Sequence, residues 1–433
     1  MSDGVLIIGA GVAGLAAAKA LGQKEIPCVV VEARDRIGGR IHTLHSPEMP
    51  VPVELGAEFV HGKPRELWDI IHNQGLRTLE MAGDNVCRHG GPPYKCNDFW
   101  SQWELVSSKM KLPHGADESF SEFSRRLIEA ECLRTDVLRH ALEFVEGFNA
   151  ADAAKISLRA VMEDRDAAEQ IEGERAFHLL DGYDAVVRHL ANDASIRTST
   201  LVKEIGWQPG SVRVRAEDAA SGAAREFESR MVLITVPISV LASAGARSSI
   251  RFSPAIPEKI AAARQLTMGN VFKCVLRFDT PFWIEQGFDK LSFVHAEDQP
   301  FPVFWTTSPE LPVLTAWAGG PAADKLAGAG PDRLIDLALE SLATCFNLPP
   351  QALRSRLQQA FAADWRTDEF SLGAYSYAPV GRSGARAALA GPVAQTLFFA
   401  GEATHTGGYS ATVHGAIATG MRAADEIAKA FAG

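Results

Sequence analysis

The first forty residues alternate between short apolar runs and glycine-rich turns. The runs Val5–Ile8 and Val29–Val31 carry no polar side chain, which is typical of strands that are buried on both faces of a parallel sheet. Residues 13–21 lie between these runs and are predicted to form a helix. This order of strand, helix and strand predicts a doubly wound α/β domain at the start of the chain.

A helical spacing of apolar residues follows. From Ser119 to Phe148, large apolar side chains recur every three to four residues, as on one face of a helix. Residues 64–80 are also predicted to be a helix, residues 83–97 a loop, and the whole of 62–177 mainly helical. We therefore expect this stretch to lie outside the parallel sheet.

Strand-like runs return after residue 200. Those assigned to the first domain are Leu201–Ile205, Val212–Arg215 and Met231–Val236. Those that predict an antiparallel sheet are Val271–Phe278, Leu291–Val294, Val303–Thr306 and Val313–Trp317. The remaining predictions are a loop at 318–330, a helix at Arg333–Phe346, a strand at Thr396–Ala400 and a final helix at Thr412–Phe431.

These elements predict two domains, as expected for a chain of 433 residues. Residues 1–61, 178–247 and 374–433 are predicted to form a Rossmann-type α/β domain. Residues 62–177 and 248–373 are predicted to form a second domain of the α+β class, which would bind the substrate.

Three glycines after the first strand have the spacing of a dinucleotide-binding turn, with Gly9, Gly11 and Gly14 forming G-x-G-x-x-G. The first permits a tight turn, the second lets the backbone approach a pyrophosphate, and the third lets the next helix pack closely. That helix directs its N-terminal N–H groups at the phosphates. Glu32, which follows the second strand, can accept hydrogen bonds from ribose hydroxyls.

A second glycine-containing loop, residues 33–40, carries three arginines, two of which are Arg34 and Arg40. A cofactor that lies extended across the domain needs further phosphate contacts, and Arg40 supplies a charge-assisted donor. With Gly39, this loop resembles the second dinucleotide motif of FAD enzymes in the amine oxidase superfamily.

Composition excludes several classes of function. The net charge of −10 argues against nucleic acid or an anionic membrane as a partner, and it is compatible with a cationic substrate. No apolar run is long enough to span a bilayer, and we recognise no secretory leader. The sequence has no H-E-x-x-H, no G-x-S-x-G and no His/Cys spacing that suggests a metal site.

The cysteines have no C-x-x-C spacing, and we expect them to be reduced in a reducing compartment, which predicts a cytoplasmic protein. One alternative stays open, a disulfide between Cys87 and Cys96 within the predicted loop. The six cysteines are Cys28, Cys87, Cys96, Cys132, Cys274 and Cys345.

Residues 397–416 make the resemblance more specific. They read LFFAGEATHTGGYSATVHGA, with an acid in a turn and small residues that lead into the last helix. This segment resembles the flavin monoamine oxidase family, near its polyamine oxidase and lysine-demethylase-like branch. The resemblance implies a GR2-like flavoprotein fold, with Glu402 near the ribityl or phosphate region of FAD. It also implies that the backbone of Thr412 and Val413 faces the flavin.

The same resemblance implies the candidate site residues. Lys273 is similar to a lysine that bonds through a water to flavin N5, although the alternation in its strand also allows it to face solvent. Tyr375 would be one wall of the aromatic pair that orients the amine, and the opposite position, Thr412, is not aromatic. Ala374 stands where covalent members have a cysteine, so we expect non-covalent FAD. The other implied cofactor or substrate contacts are His61, Gly56, Ala57, Glu58, Val202 and Trp365.

The expected function is FAD-dependent oxidation of a polyamine or another primary or secondary amine. The amine would give an imine and then an aldehyde, and O2 would be reduced to hydrogen peroxide. Two alternatives remain: a desaturase or porphyrinogen-type oxidase on the same scaffold, and a flavin-binding module without oxidase activity. The oligomeric state is not predicted.

Overall fold

The computed structural model describes residues 3–88, 91–130 and 133–432, and for His114 the backbone only. The helices are α1 (Val12–Gln23), α2 (Arg65–Gln74), α3 (Phe99–Ser107), α4 (Phe120–Glu129), α5 (Thr135–Asn149), α6 (Leu158–Glu169), α7 (Asp184–Ala191), α8 (Ile238–Ala242), α9 (Pro257–Gln265), α10 (Phe282–Glu285), α11 (Pro321–Lys325), α12 (Pro331–Phe346), α13 (Pro350–Arg356), α14 (Ala385–Ala390) and α15 (Val413–Ala432).

The strands are β1 (Val5–Ile8), β2 (Cys28–Val31), β3 (Thr43–Leu44), β4 (Val53–Glu54), β5 (Phe59–His61), β6 (Thr78–Glu80), β7 (Asp84–Cys87), β8 (Tyr94–Lys95), β9 (Ala176–Leu179), β10 (Ile196–Arg197), β11 (Thr200–Gln208), β12 (Ser211–Asp218), β13 (Ala224–Ser229), β14 (Met231–Ile234), β15 (Arg251–Ser253), β16 (Thr267–Met268), β17 (Val271–Phe278), β18 (Leu291–His295), β19 (Val303–Thr306), β20 (Val313–Gly319), β21 (Leu357–Asp364), β22 (Ser376–Tyr377) and β23 (Leu397–Phe399).

A five-stranded parallel sheet, in the order β10-β2-β1-β14-β23, contains β1 and β2, the strands on either side of the glycine turn and α1. Its strands β1, β14 and β23 are wholly apolar and buried, as expected for a parallel sheet, whereas the edge strand β10 ends in the exposed Arg197. One face packs against α1, α7 and α15. The predicted α/β fold class is confirmed, and the sheet brings the start, the middle and the end of the chain together.

Two of the strands assigned to this domain belong to another sheet. Leu201–Ile205 and Val212–Arg215 do form strands, but they lie in a four-stranded sheet, β13-β12-β11-β15, and only Met231–Ile234 joins the parallel sheet. The reason is visible in β12, where buried and exposed residues alternate, as in an antiparallel strand with one face in solvent. The buried face of the four-stranded sheet packs on the parallel sheet.

A separate sheet of seven strands has the order β21-β17-β20-β19-β18-β7-β8. All neighbours are antiparallel except β18 and β7. The four predicted strands are confirmed, and β21 joins them as a strand that was not predicted. The prediction of a loop at 83–97 is wrong because β7 and β8 form a hairpin there, and residues 318–330 contain the end of β20 and the helix α11.

The region 62–177 is mainly helical, with two corrections. The helix predicted at 64–80 ends at Gln74, because Gly75 takes the left-handed conformation (φ 60°) that terminates it. Thr78–Glu80 then forms the strand β6, which pairs with β9, and β5 pairs with the other edge of β9. The periodic stretch from Ser119 to Phe148 is divided between the helices α4 and α5.

The expectation of reduced cysteines is wrong for two of the six. Cys87 at the end of β7 and Cys96 just after β8 form a disulfide across the hairpin. Cys28, Cys274 and Cys345 are free thiols, and Cys132 lies outside the described residues. Within residues 3–88, 91–130 and 133–432, no helix is both long and apolar enough to cross a membrane, and no group of three or more metal-ligating side chains is present.

Candidate active site

A cavity of about 1560 Å³ runs from the glycine turn after β1, past the seven-stranded sheet, to the helices α3 and α5. All the site residues predicted from the sequence line this cavity except Gly14, which lies behind the glycine turn. The two parts of the fold therefore share a single site, with the parallel sheet at one end and the helical region at the other.

The glycine turn has the geometry that a dinucleotide requires. Gly9 has a φ of +107°, which forms the tight turn, and a Cβ at Gly14 would lie 2.0 Å from the Gly9 carbonyl oxygen, so α1 can pack on the strand only with glycine there. A Cβ at Gly11 would meet no atom of the described chain within 4 Å. Packing within the described chain therefore does not require glycine at position 11. The empty space beside the Gly11 Cα belongs to the cavity, and it would let a pyrophosphate approach the backbone closely.

Glu32 is fixed at the end of β2 by backbone donors. The Ala10 N–H donates to its Oε2 at 2.8 Å and the Arg34 N–H donates to its Oε1 at 3.0 Å. A carboxylate oxygen accepts two hydrogen bonds, so acceptor capacity remains for ribose hydroxyls. The Arg34 guanidinium is paired with Asp368 and donates to Ser371 Oγ at 2.9 Å, so its contacts in this structure are to the protein.

Arg40 and Glu402 form a buried network that sequence reasoning recovered only in part. Arg40 Nη1 donates to Glu402 Oε1 at 2.9 Å and to the Ala374 carbonyl at 2.8 Å. Ser376 Oγ donates to Glu402 Oε2 at 2.6 Å and accepts from Arg386 Nη1 at 2.9 Å. Ser376 and Arg386 carry no motif that would have pointed to them, yet they determine where the Glu402 carboxylate lies.

The last helix begins at the cavity. Thr412 Oγ1 accepts from the Gly415 N–H at 3.0 Å and donates to the Tyr409 carbonyl at 2.8 Å, so this side chain acts as an N-terminal cap. Thr412 and Val413 both line the cavity. The N-terminus of α15 therefore offers a partial positive charge to a group bound there.

Lys273 points into the protein and not into solvent. Its side chain is 1% exposed, and its Nζ lies 2.5 Å from Glu58 Oε2 and 3.1 Å from the Gly56 carbonyl oxygen. The alternative that Lys273 faces solvent is therefore excluded. Sequence reasoning placed both Lys273 and Glu58 at the site, but it did not identify them as an ion pair.

Glu58 has two further partners, Trp305 on β19 and His178 on β9. Trp305 Nε1 donates to Glu58 Oε1 at 2.9 Å, and His178 Nδ1 lies 3.4 Å from the same oxygen. Burial acts to raise the pKa of Glu58, but the Lys273 ammonium and the His178 ring outweigh it, so the pKa lies below its usual value. Trp305 and His178 were not predicted from the sequence.

Aromatic rings form the cavity wall near Lys273. Tyr375 Oη donates to the Phe148 carbonyl at 2.8 Å, and Trp317 packs against the same buried cluster as Tyr375. The His61 ring lies 5.3 Å from the Phe148 ring, and burial lowers the pKa of His61 to about 4. Trp317 and Phe148 thus add aromatic side chains to the lining of this cavity, and sequence reasoning missed both.

Trp365 and Gly56 fix the floor of the site. Trp365 is buried, and its Nε1 donates to the Leu55 carbonyl at 2.8 Å. A Cβ at Gly56 would lie 1.9 Å from the Arg40 carbonyl oxygen and 3.2 Å from the Trp365 ring. The loop that carries Gly56, Ala57 and Glu58 therefore passes closely between Arg40 and Trp365 into the cavity.

The outer part of the cavity is rich in carboxyl groups. Glu143 and Glu146 on α5 and Glu297 after β18 all line it. Burial and the neighbouring Glu297 raise the pKa of Glu143 to about 7, and burial raises that of Glu146. Glu297 Oε1 lies 2.6 Å from His140 Nε2. Carboxyl groups that share one part of a cavity attract a cation when they are ionised, which for Glu143 requires a pH above about 7.

Comparison with known proteins gives three findings. Residues 12–428 match the profile of the family described as flavin containing amine oxidoreductase. Polyamine oxidase 2 of Arabidopsis thaliana is 31% identical over 455 residues, which cover 98% of this chain and 88% of that protein. Lysine-specific histone demethylase 1 homolog 1 of Oryza sativa subsp. japonica is 29% identical over 460 residues, which cover 98% of this chain and 52% of that protein.

The fold is also similar to solved structures. The structure of wild-type putrescine oxidase bound to putrescine matches with a TM-score of 0.81 at 22% identity, over 99% of each chain. These findings confirm the resemblance that the motifs indicated.

Proposed function

Since this chain belongs to the family of flavin-containing amine oxidoreductases and is therefore an enzyme that oxidises amines with FAD, we propose that its natural substrate is a polyamine. The observation that carries the proposal is the lining of the cavity, which is aromatic near Lys273 and rich in carboxyl groups near α5. A polyamine can place one uncharged nitrogen among the rings while a distal ammonium group meets a carboxylate.

When bound, FAD serves as the two-electron oxidant, and the protein holds the cofactor and the amine in place. The glycine turn, Arg40 and Glu402 would hold the cofactor, and the start of α15 would face its developing negative charge. Ala374 presents only a methyl group, which cannot bond to a flavin, so the FAD is held without a covalent link. The rings of Tyr375 and Trp317 would exclude water and orient the amine.

The overall reaction balances with oxygen as the acceptor. The amine loses two electrons and two protons and becomes an imine, which water hydrolyses to an aldehyde and a smaller amine or ammonia. O2 gains two electrons and two protons and becomes hydrogen peroxide. This acceptor and this product belong to the proposal.

The direct test mixes the FAD-loaded protein with amines in the absence of oxygen and follows the loss of the yellow flavin absorbance. Spermine, spermidine and an N-acetylated polyamine are compared with a monoamine of similar length. We expect half-saturation by a polyamine at a concentration at least about tenfold below that of the monoamine. Equal response to both would refute the polyamine assignment, and bleaching by no amine would favour a desaturase, a porphyrinogen-type oxidase or a flavin-binding module.

Charge-removing variants test the carboxyl-rich part of the cavity. Glu143→Gln and Glu146→Gln should each raise the half-saturating spermine concentration by about twofold to fivefold, the range for partly exposed ion pairs. Both should leave the response to the monoamine unchanged. Glu129→Gln, an exposed acid on α4 outside the cavity, is the matched control. A loss of monoamine response equal to the loss of spermine response would contradict the assignment.

The pH dependence of flavin reduction shows whether the bound amine or the His61 ring is the group that titrates. Because the pKa of His61 is held at about 4 by burial, this ring stays uncharged from about pH 6 to about pH 9. Only an uncharged amine gives up its electrons readily, so the rate of flavin reduction should rise with pH toward the pKa of the bound amine. His61→Gln should keep that profile, and a flat profile in the unaltered enzyme would refute the argument.

A cytoplasmic location stays a prediction, and the argument from reduced cysteines no longer favours it. The expectation depended on reduced cysteines, and Cys87 and Cys96 are joined.

A further inference from the structure

The ion pair between Lys273 and Glu58 joins the two sides of the molecule. Glu58 lies in the loop between β4 and β5, beside Gly56 and Ala57, and Lys273 lies on β17 of the seven-stranded sheet. The Lys273 side chain is 1% exposed, Glu58 is 8% exposed, and both line the cavity. This buried carboxylate is a specific feature of the site that the proposed oxidation of amines does not by itself require.

Glu58 is held firmly enough to act as a fixed charge. Trp305 donates to one of its oxygens, and the Lys273 ammonium lies against the other. The Lys273 Nζ also lies 5.7 Å from the centre of the Trp305 ring and within hydrogen-bond distance of the Gly56 carbonyl. Three groups therefore fix where the ammonium lies: the Glu58 carboxylate and the Gly56 carbonyl, both in the loop between β4 and β5, and the Trp305 ring on β19.

We propose that Glu58 is a positioning residue that holds the Lys273 ammonium at the cavity wall and offsets its charge beside the reactive edge of the FAD. The inference rests on the proposed function, because it takes Lys273 to face the flavin. Two opposite charges 2.5 Å apart act on a third group as a dipole, whose effect falls off faster with distance than that of a single charge. The pair therefore stabilises the anionic reduced flavin less than a lone ammonium would.

The measurement is the two-electron midpoint potential of the bound FAD, followed by absorbance against a reference dye. Glu58→Gln removes the negative charge and keeps the shape of the side chain, so the lone ammonium should favour the reduced flavin at least about tenfold more, or about 30 mV. Lys273→Met should shift the equilibrium in the opposite direction. Glu58→Asp keeps the charge and should stay within about threefold of the unaltered enzyme.

Glu54→Gln is the matched control. Glu54 is also a buried carboxyl group of the same segment, and because burial raises its pKa to about 7 it is compared at about pH 9, where it is ionised. It accepts from the Tyr183 N–H and the Thr43 hydroxyl at 2.7 Å each and forms no ion pair among the described residues. It should change the equilibrium by less than about twofold. A shift in Glu54→Gln as large as that in Glu58→Gln would overturn the proposal, since any lost carboxylate would then act alike.

A second comparison covers the case in which Glu58→Gln alone does not fold. Lys273→Met and the double variant Lys273→Met/Glu58→Gln both lack the ammonium. Because burial raises the pKa of Glu58 once Lys273 is removed, this pair is compared at about pH 9, where the carboxylate is ionised and the two variants differ only in its charge. The double variant should have the higher potential, again by at least about 30 mV. Equal potentials in this pair, or in Glu58→Gln and the unaltered enzyme, would overturn the proposal.

The outcomes separate this inference from the proposed function. A protein that binds no FAD, or whose FAD no amine reduces, counts against the proposed function. An FAD-loaded enzyme that amines reduce, but whose potential is indifferent to Glu58→Gln, counts against the role of Glu58 alone.

Discussion

Gly11 gives the sharpest test of the cofactor cradle, because the structure separates its effect on folding from its effect on binding. Gly11 has an extended backbone (φ −74°, ψ 172°), which alanine adopts without strain. A Cβ there meets no atom of the described chain within 4 Å. Gly11→Ala should therefore leave the melting temperature of the FAD-free protein within about 1 °C of the unaltered value.

The same methyl group occupies the space that the pyrophosphate needs. Forcing a methyl group into a well-packed contact costs about 1–3 kcal/mol, so FAD affinity should fall by about fivefold to about 150-fold. The assay is titration of the FAD-free protein with FAD, followed by quenching of flavin fluorescence, together with thermal unfolding of the same FAD-free sample.

Gly14→Ala is the paired variant with the opposite expectation. Its Cβ would lie 2.0 Å from the Gly9 carbonyl oxygen, so the FAD-free protein itself should melt about 1–3 °C lower. If Gly11→Ala bound FAD with unaltered affinity, or if it destabilised the FAD-free protein as much as Gly14→Ala, the assignment of Gly11 to the pyrophosphate would be refuted.

Two further predictions concern acid stability and the disulfide. His414 is 4% exposed, and burial lowers its pKa to about 3. Lowering the pH from about 7 to about 5 therefore protonates this ring only in the unfolded chain. The free energy of unfolding should fall by about 2 kcal/mol, which lowers the melting temperature by about 2 °C. His414→Phe should reduce the difference in melting temperature between these pH values by that amount, and the exposed His72→Phe should not; an unchanged difference in His414→Phe would contradict the reasoning. For the disulfide, reductant should increase by two the number of titratable thiols in the denatured protein, and an equal count without reductant would show that Cys87 and Cys96 are not joined.

The elements that could be predicted from the sequence are those that depend on local patterns. The parallel strands are short apolar runs, the glycine turn follows a fixed spacing, and α15 follows a segment of small residues, so each is visible within about twenty residues. The hairpin of β7 and β8 was missed because its residues include Asp84, Asn85 and Lys95, which hide the alternation of a strand. Its strand character comes from pairing with β18, far along the chain.

The candidate site shows the same division. The resemblance placed Lys273, Tyr375 and Glu402 at the cavity, and the structure brings them there. The partners that determine their positions are distant in sequence: Trp305 and Glu58 are 247 residues apart, and neither belongs to a motif that names the other. Such pairs follow from how two sheets pack, and a single sequence contains no pattern for that.

The hairpin disulfide has a chemical consequence for the proposed reaction, whose product is hydrogen peroxide. Cys87 lines the cavity, where a free thiol would be open to stepwise oxidation by that product. As a disulfide, that sulfur is already oxidised, and the free thiol of Cys274, next to Lys273 in β17, is buried with its pKa raised to about 12, which keeps it in the unreactive form. Neither Cys87 nor Cys274 therefore presents a thiolate to the proposed peroxide.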